Sequence, residues 1–281
     1  MKKGISSRHN EATPVTYLLL TLITIVVTIP ILWMISVSLR KNTEVFTVPP
    51  KVFPPAASFE AYSSVLSNPD YLGFFLNSYI VALVVAVGSV AIGTIAAYGF
   101  SRFRFKGSRV ITLFVVTTQM IPPITLLIPY FAIIVFVGLY DTRIGLIVTY
   151  MSFTLPYSVL MMTGYMNTIS SELDEAAIVD GCSRFGALVR IILPPALPGI
   201  ISTAVYAFIL SWNEFIFAVT LTRTTEMRTL PVGISLLIGE HAYQWNEIMA
   251  LSAIATIPVL ILFVLIQRYY LAGLTSGSVK G

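Results

Sequence analysis

The stretch FFLNSYIVALVVAVGSVAIGTIAAYGFS, residues Phe74–Ser101, contains no Asp, Glu, Lys or Arg. It runs past the roughly 20 residues that a helix needs to cross a hydrocarbon core about 30 Å thick. RFRFKGSR, Arg102–Arg109, follows at once, a short basic loop of the kind held on the cytoplasmic side. The rest of the chain repeats the pattern. Apolar runs at Val15–Leu39, Phe74–Ser101, Val110–Val137, Ile144–Met166, Gly199–Thr222 and Ile248–Tyr270 predict six spans. The predicted class is an all-α integral membrane protein, read as one domain over residues 1–281.

Composition agrees. Of the 281 residues 56% are hydrophobic and 11% charged, against roughly 25% charged in a soluble domain; mean hydropathy is +0.86. So few charges could not cover a water-soluble globule of this length, which argues against a soluble enzyme and a disordered chain. The net charge of +4 is spread along the chain rather than clustered, which argues against nucleic acid. One cysteine, Cys182, leaves no internal disulfide framework. Lys2, Lys3 and Arg8 precede the first span as in a signal peptide, but the run is long and no A-x-A site follows, so it reads as a retained anchor.

Lysine and arginine placement puts both termini in the cytoplasm, with the basic block Arg102–Arg109 inside. The outer segment Arg40–Gly73 is rich in proline and predicts extended or turn structure. Another outer loop is expected at Arg223–Glu247, and a polar cytoplasmic interval at Asn167–Pro198.

Several chemistries have no place to sit. No lysine follows a glycine, so no phosphate-binding GxxxxGK[ST] loop exists. The two histidines, His9 and His241, fall outside the spans. Glu214 is the one charged residue well inside a predicted span, whereas proton-driven carriers show several. An energy source outside this chain is the better reading; an ion-coupled secondary carrier stays as the alternative. A membrane-embedded enzyme lacks an acid–base pair.

The segment SSELDEAAIVDGCSRFGALVRIILPPALP, Ser170–Pro198, predicts two short helices off the membrane. Ser171 is a candidate N-cap with Asp174 at its third helical position, as in a capping box. Glu172, Asp174 and Glu175 favour the first turn, Gly181 a left-handed stop, and Ala176 and Ala177 a low surface open to close approach. Ser183 can cap a second helix. Its Phe185, Leu188, Val189 and Ile192 follow one apolar face, and Pro194-Pro195 is expected to end it.

These residues resemble the ABC transporter permeases. The signature reads Glu175-Ala176-Ala177, Gly181, then Ile191-Ile192-Leu193-Pro194, with Asp180 before the glycine as in the sugar versions. Asn77–Gly107, TQMIPP (Thr118–Pro123), SWNEFIFA (Ser211–Ala218), TLPVGI (Thr229–Ile234) and the ending Arg268–Gly281 look like the maltose-type group. The resemblance implies a multi-pass subunit of the cell inner membrane that imports a carbohydrate. Its implied partners are a second permease subunit, two ATPase subunits and an extracytoplasmic sugar-binding protein. ATP and Mg would sit on the ATPases, and no cofactor is implied for this chain. Glu172, Asp174, Glu175, Ala176, Ala177, Asp180, Gly181 and Phe185 would couple to an ATPase, and the tail Thr275–Gly281 would enter the ATPase interface. Pro231, Gly233, Gly239 and Glu240 would meet the binding protein.

Gln119, Tyr150, Trp212, Asn213 and Glu214 are candidates to line the pathway, with Tyr98 and Tyr157 as weaker ones; interhelical hydrogen bonding is the competing reading of the same groups. Ser89, Gly93 and Ala97, four apart, allow close helix packing either within this chain or against a second subunit. Pro122-Pro123 is the best candidate for a kink on a pathway.

Overall fold

The computed structural model describes residues 13–49, 53–54, 56–240 and 244–277, and side chains within these except at 239–240 and 268–277. Its helices in chain order are α1 (Pro14–Ser38), α2 (Asn42–Val45), α3 (Glu60–Ser67), α4 (Pro69–Arg102), α5 (Ser108–Met120), α6 (Leu127–Phe136), α7 (Arg143–Met166), α8 (Glu172–Val179), α9 (Arg184–Ala187), α10 (Leu193–Trp212), α11 (Ile216–Leu221), α12 (Leu230–Glu240) and α13 (Trp245–Gly277).

By length and composition, five helical stretches among the described residues can cross a membrane: Pro14–Ser38, Pro69–Arg102, Arg143–Met166, Arg184–Trp212 and Trp245–Gln267. The third predicted span is not one rod. Ser108–Met120 and Pro123–Phe136 meet at 95°, and counting that bent pair as one span gives six. Pro122 and Pro123 lie at the corner, where two successive residues without an amide donor favour a break in the helix.

Two contact units can be separated, residues 1–65 with 241–254 and residues 66–240 with 255–281. In the first, α1 is apolar and exposed along its length, and only Ser36, Val37 and Ser38 are buried. A bare apolar rod of this kind suits lipid. The Ser38 and Tyr62 hydroxyls are hydrogen-bonded at 2.8 Å, and Asn246 donates to the Arg40 carbonyl at 3.3 Å. The segment after α1 carries the short helices α2 and α3 rather than extended chain alone, and four of its five prolines fall between them.

In the second unit α4 is the axis, packed against α7 and α10. Ser89, Gly93 and Ala97 face α7. Ser89 and Thr154 are hydrogen-bonded at 2.7 Å, and a Cβ on Gly93 would stand 2.8 Å from that of Ser158. The small-residue stripe is thus spent within the chain. One apolar cluster, around Val85, Leu146, Tyr150, Phe217 and Leu221, gathers α4, α6, α7, α11 and α12. A second, around Tyr98, Met162, Met166, Leu188 and Ile192, lies beside α8.

Candidate functional site

The segment around α8 differs from its predicted capping. The Ser171 backbone is already helical (φ −68°, ψ −19°) and its side chain accepts no cap hydrogen bond. Asp174 turns away from the helix start. It is buried, accepts from Arg102 Nε at 2.6 Å and from the Tyr98 hydroxyl at 2.8 Å. Arg102 Nη2 donates to the Ile169 carbonyl at 2.9 Å, and the Ser101 hydroxyl donates to Asn167 Oδ1 at 2.7 Å. The Arg184 guanidinium lies 4.7 Å from the centre of the Phe103 ring. The competition is simple: an aspartate next to a nearly buried guanidinium gains a charge-assisted bond stronger than a bond to an amide. Tyr98 is part of this clamp.

The end of α8 is as expected. Gly181 has φ +84°. Its amide donates to the Ile178 carbonyl at 3.0 Å, and the Cys182 amide donates to that of Ala177 at 2.9 Å, the paired bonds of a Schellman stop. Glu172, Glu175, Ala176, Asp180, Gly181 and Phe185 are exposed, while Asp174 and Ala177 are buried. Eight predicted coupling residues thus divide into an open face and two anchors.

Ser183 caps α9, accepting from the Gly186 amide at 3.1 Å. The helix does not end at Pro194-Pro195. It passes through a π turn, Leu188–Ile192, into α10. Pro194 and Pro195 follow this π turn at the start of α10. Leu188 and Ile192 are buried, Phe185 and Val189 exposed, so the predicted apolar face is half core and half open.

Where a loop was expected at Arg223–Glu247, α12 forms. Pro231 lies in its first turn and Gly233 is pressed against the Phe74 ring, which a Cβ would overlap. This is helix packing, not a shaped loop. Gly239 and Glu240 end α12 with side chains outside the described ones, and residues 278–281 of the tail are also outside the description. The same end of the unit is held by groups the sequence reading passed over. Asn77 Nδ2 donates to the carbonyls of Glu226 (2.7 Å) and Arg228 (2.8 Å), and Asn77 Oδ1 accepts from Arg143 Nε at 2.7 Å. Ser78 accepts from the Leu230 amide at 2.8 Å. Asp141 accepts from the amides of Arg223 (2.8 Å) and Thr224 (3.1 Å).

The five pathway candidates separate. Gln119 and Glu214 line a cavity of about 630 Å³ with Ser152, Phe153, Tyr157 and Tyr206. Tyr150 is fully buried behind it and donates to Glu214 Oε2 at 2.7 Å. Glu214 also accepts from the amides of Phe217 (2.9 Å) and Ala218 (3.0 Å), so it caps α11 where the predicted fifth span breaks. Trp212 is buried in an aromatic cluster with Phe208 and Tyr79. Trp212 and Asn213 line a different hollow, about 520 Å³, with Pro231 and Ile234. Tyr157, one of the weaker pathway candidates, lines this cavity; its stack on Tyr206, rings 3.8 Å apart, joins residues 49 apart in sequence and leaves no local pattern.

Residues 89–274 match the family profile described as binding-protein-dependent transport system inner membrane component. The chain belongs to this family. It is 37% identical over 265 residues to the inner membrane ABC transporter permease protein YcjP of Escherichia coli K12, covering 93% of this chain and 94% of that protein. It is 38% identical to the trehalose/maltose transport system permease protein MalG of Thermococcus litoralis, covering 92% and 94%. In fold it is similar to a chain of a bacterial ABC transporter involved in import of the acidic polysaccharide alginate, with TM-score 0.81 at 24% identity, covering 91% and 95%. This binding-protein-dependent inner membrane component is a multi-pass permease subunit of an ABC-type importer, a transport component rather than an enzyme.

Proposed function

We propose that this permease carries a carbohydrate across the cytoplasmic membrane, within the maltose-type group, working with a second permease subunit, two ATPase subunits and an extracytoplasmic binding protein. The carbohydrate reading rests on the 38% identity to a trehalose/maltose permease. The chain acts as one permease domain with both termini in the cytoplasm, so that α8 and the basic stretch Arg104–Arg109 share the cytoplasmic end.

The observation that carries the coupling role is the division of α8. Glu172, Glu175, Ala176 and Asp180 stand open while Asp174 locks the same helix to Arg102. An open face can seat in an ATPase groove, and a locked one passes the push to α4. ATP binding on the partners moves α8, and the spans follow.

For the pathway, both broken spans meet at one cavity. Gln119, Ile121 and Pro123 border it from the 95° corner, Glu214 and Ile216 from the break before α11. Backbone freed at membrane depth is tolerated where it is buried in protein or faces water. The cavity is the better pathway candidate; Trp212 serves packing, and Asn213 donates back to the Ile209 carbonyl of its own helix.

The test is the reconstituted importer in proteoliposomes. Glu175→Arg is expected to lose ATPase subunits on purification, and maltose, trehalose, their oligomers and acidic saccharides are offered with the cognate binding protein. ATPase retention by Glu175→Arg would remove the docking role. Failure of every saccharide offered, neutral or acidic, to stimulate hydrolysis would remove the carbohydrate reading.

A further inference from the structure

We infer that Glu214 makes the cavity at the two helix breaks a charge filter, selecting uncharged saccharides and turning away anionic ones such as uronates or sugar phosphates. The inference rests on the reading of this cavity as the pathway and adds the class of substrate.

Glu214 accepts three hydrogen bonds, from the Phe217 and Ala218 amides and the Tyr150 hydroxyl. A carboxylate offers about four lone-pair sites, so donors in the protein use most of them and leave an acceptor toward the cavity. No Lys, Arg or His is among the cavity-lining residues. The remaining polar groups are neutral: Gln119, Thr118, Ser152 and tyrosines. Tyr130 and Ser152 already share a 2.5 Å hydrogen bond, and Tyr157 stacks on Tyr206. Such walls offer hydroxyl acceptors and flat apolar faces, the two things a neutral sugar ring can use. An anionic sugar meets a fixed negative charge with no cation to offset it. At about 8 Å and an effective dielectric near 20, that repulsion reaches roughly tenfold or more in occupancy.

The test reads the charge of the cavity directly, without knowledge of the natural sugar. In the assembled importer with Cys182→Ser, the lining residue Leu210→Cys is labelled with trimethylammonioethyl and sulfonatoethyl methanethiosulfonates. Each rate is divided by that of free 2-mercaptoethanol. The normalised rates are expected to favour the cation at least tenfold. Glu214→Gln should bring the ratio near one. Because that variant also touches the cap of α11, Gln119→Lys provides the second reading: it adds a cation to the lining, leaves the cap intact, and should lower the ratio likewise. A ratio near one in the parent, or one unmoved by both variants, overturns the filter. Trapping the ATPases with vanadate tests the pathway separately. A selective cysteine whose labelling does not change on trapping would remove the cavity from the pathway while its charge preference stood.

Discussion

The two polar ends of the larger unit are held by different chemistry. At the α8 end, one buried ion pair, Arg102 to Asp174, joins a surface helix to the end of α4, the longest of the described helices. At the other end, Asn77, Ser78 and Asp141 reach mainly to backbone groups of residues 223–230. Bonds from several side chains to successive main-chain groups fix the path of a segment and share the load. A charged pair at the centre of a small clamp concentrates it on two side chains. The first arrangement suits a frame that must keep its shape. The second suits a helix that must move with its anchor as one body.

That contrast breaks most sharply at Asp174. Removing one partner of a buried pair costs about 3–5 kcal/mol, because the other is left uncompensated. Asp174→Ala is expected to reduce uptake and binding-protein-stimulated ATP hydrolysis at least tenfold, with membrane insertion unchanged by fractionation. The paired change Arg102→Leu with Asp174→Leu removes both charges and keeps the site packed. If it restores assembly but not stimulated hydrolysis, the pair transmits motion. Full restoration of both would reduce it to packing.

Asn77→Ala should act in the other sense. It strands two carbonyls and Arg143 at a cost of about 1–3 kcal/mol. The expected result is a lower Tm of the purified complex with the ratio of stimulated to basal hydrolysis preserved. A loss of coupling as severe as that of Asp174→Ala would erase the distinction between the ends.

Gly181→Val probes the α8 end more gently. A left-handed backbone costs a β-branched residue about 1–2 kcal/mol, and Gly181 stands in open space with φ +84°. Conformation alone is therefore at issue. Uptake should fall several-fold, and Gly181→Asn, a residue that visits this region, should recover most of it.

How much of this was legible follows from the range of each signal. The apolar runs, the stop at Gly181 and the corner at Pro122 are local: a few adjacent residues determine them, and the structure agrees. The fifth span begins earlier than its apolar run predicts, because the helix runs from a π turn at Leu188–Ile192 through Pro194, Pro195 and Pro198 to Trp212. The spacing of Asp174 from Ser171 fits a capping box. Arg102, 72 positions away, outcompetes that bond, and no window of sequence contains both. The same holds for Tyr157 on Tyr206. Glu214 was noticed as the lone charge in an apolar run, yet its capping of α11 required the helix to break there.

Asp141 carries the smallest effect and decides whether charge matters at the stitched end too. Its φ of +57° is the left-handed region, which Asn also visits at little cost, so Asp141→Asn keeps the backbone and alters the carboxylate alone. Burial pushes the carboxyl up, but the amides of Arg223 and Thr224, the Thr224 hydroxyl and the Arg223 charge outweigh it, and the group titrates below its usual range. A folded-state value depressed in this way stabilises the fold above the unfolded carboxylate value, and that contribution is lost as pH falls through the folded one. The Tm of the parent should therefore exceed that of Asp141→Asn near pH 7, and the gap should close as the pH drops below the ordinary carboxylate range. A gap that stays constant on acidification would assign the contact to hydrogen-bond geometry, leaving the Arg102–Asp174 clamp as the end that depends on charge.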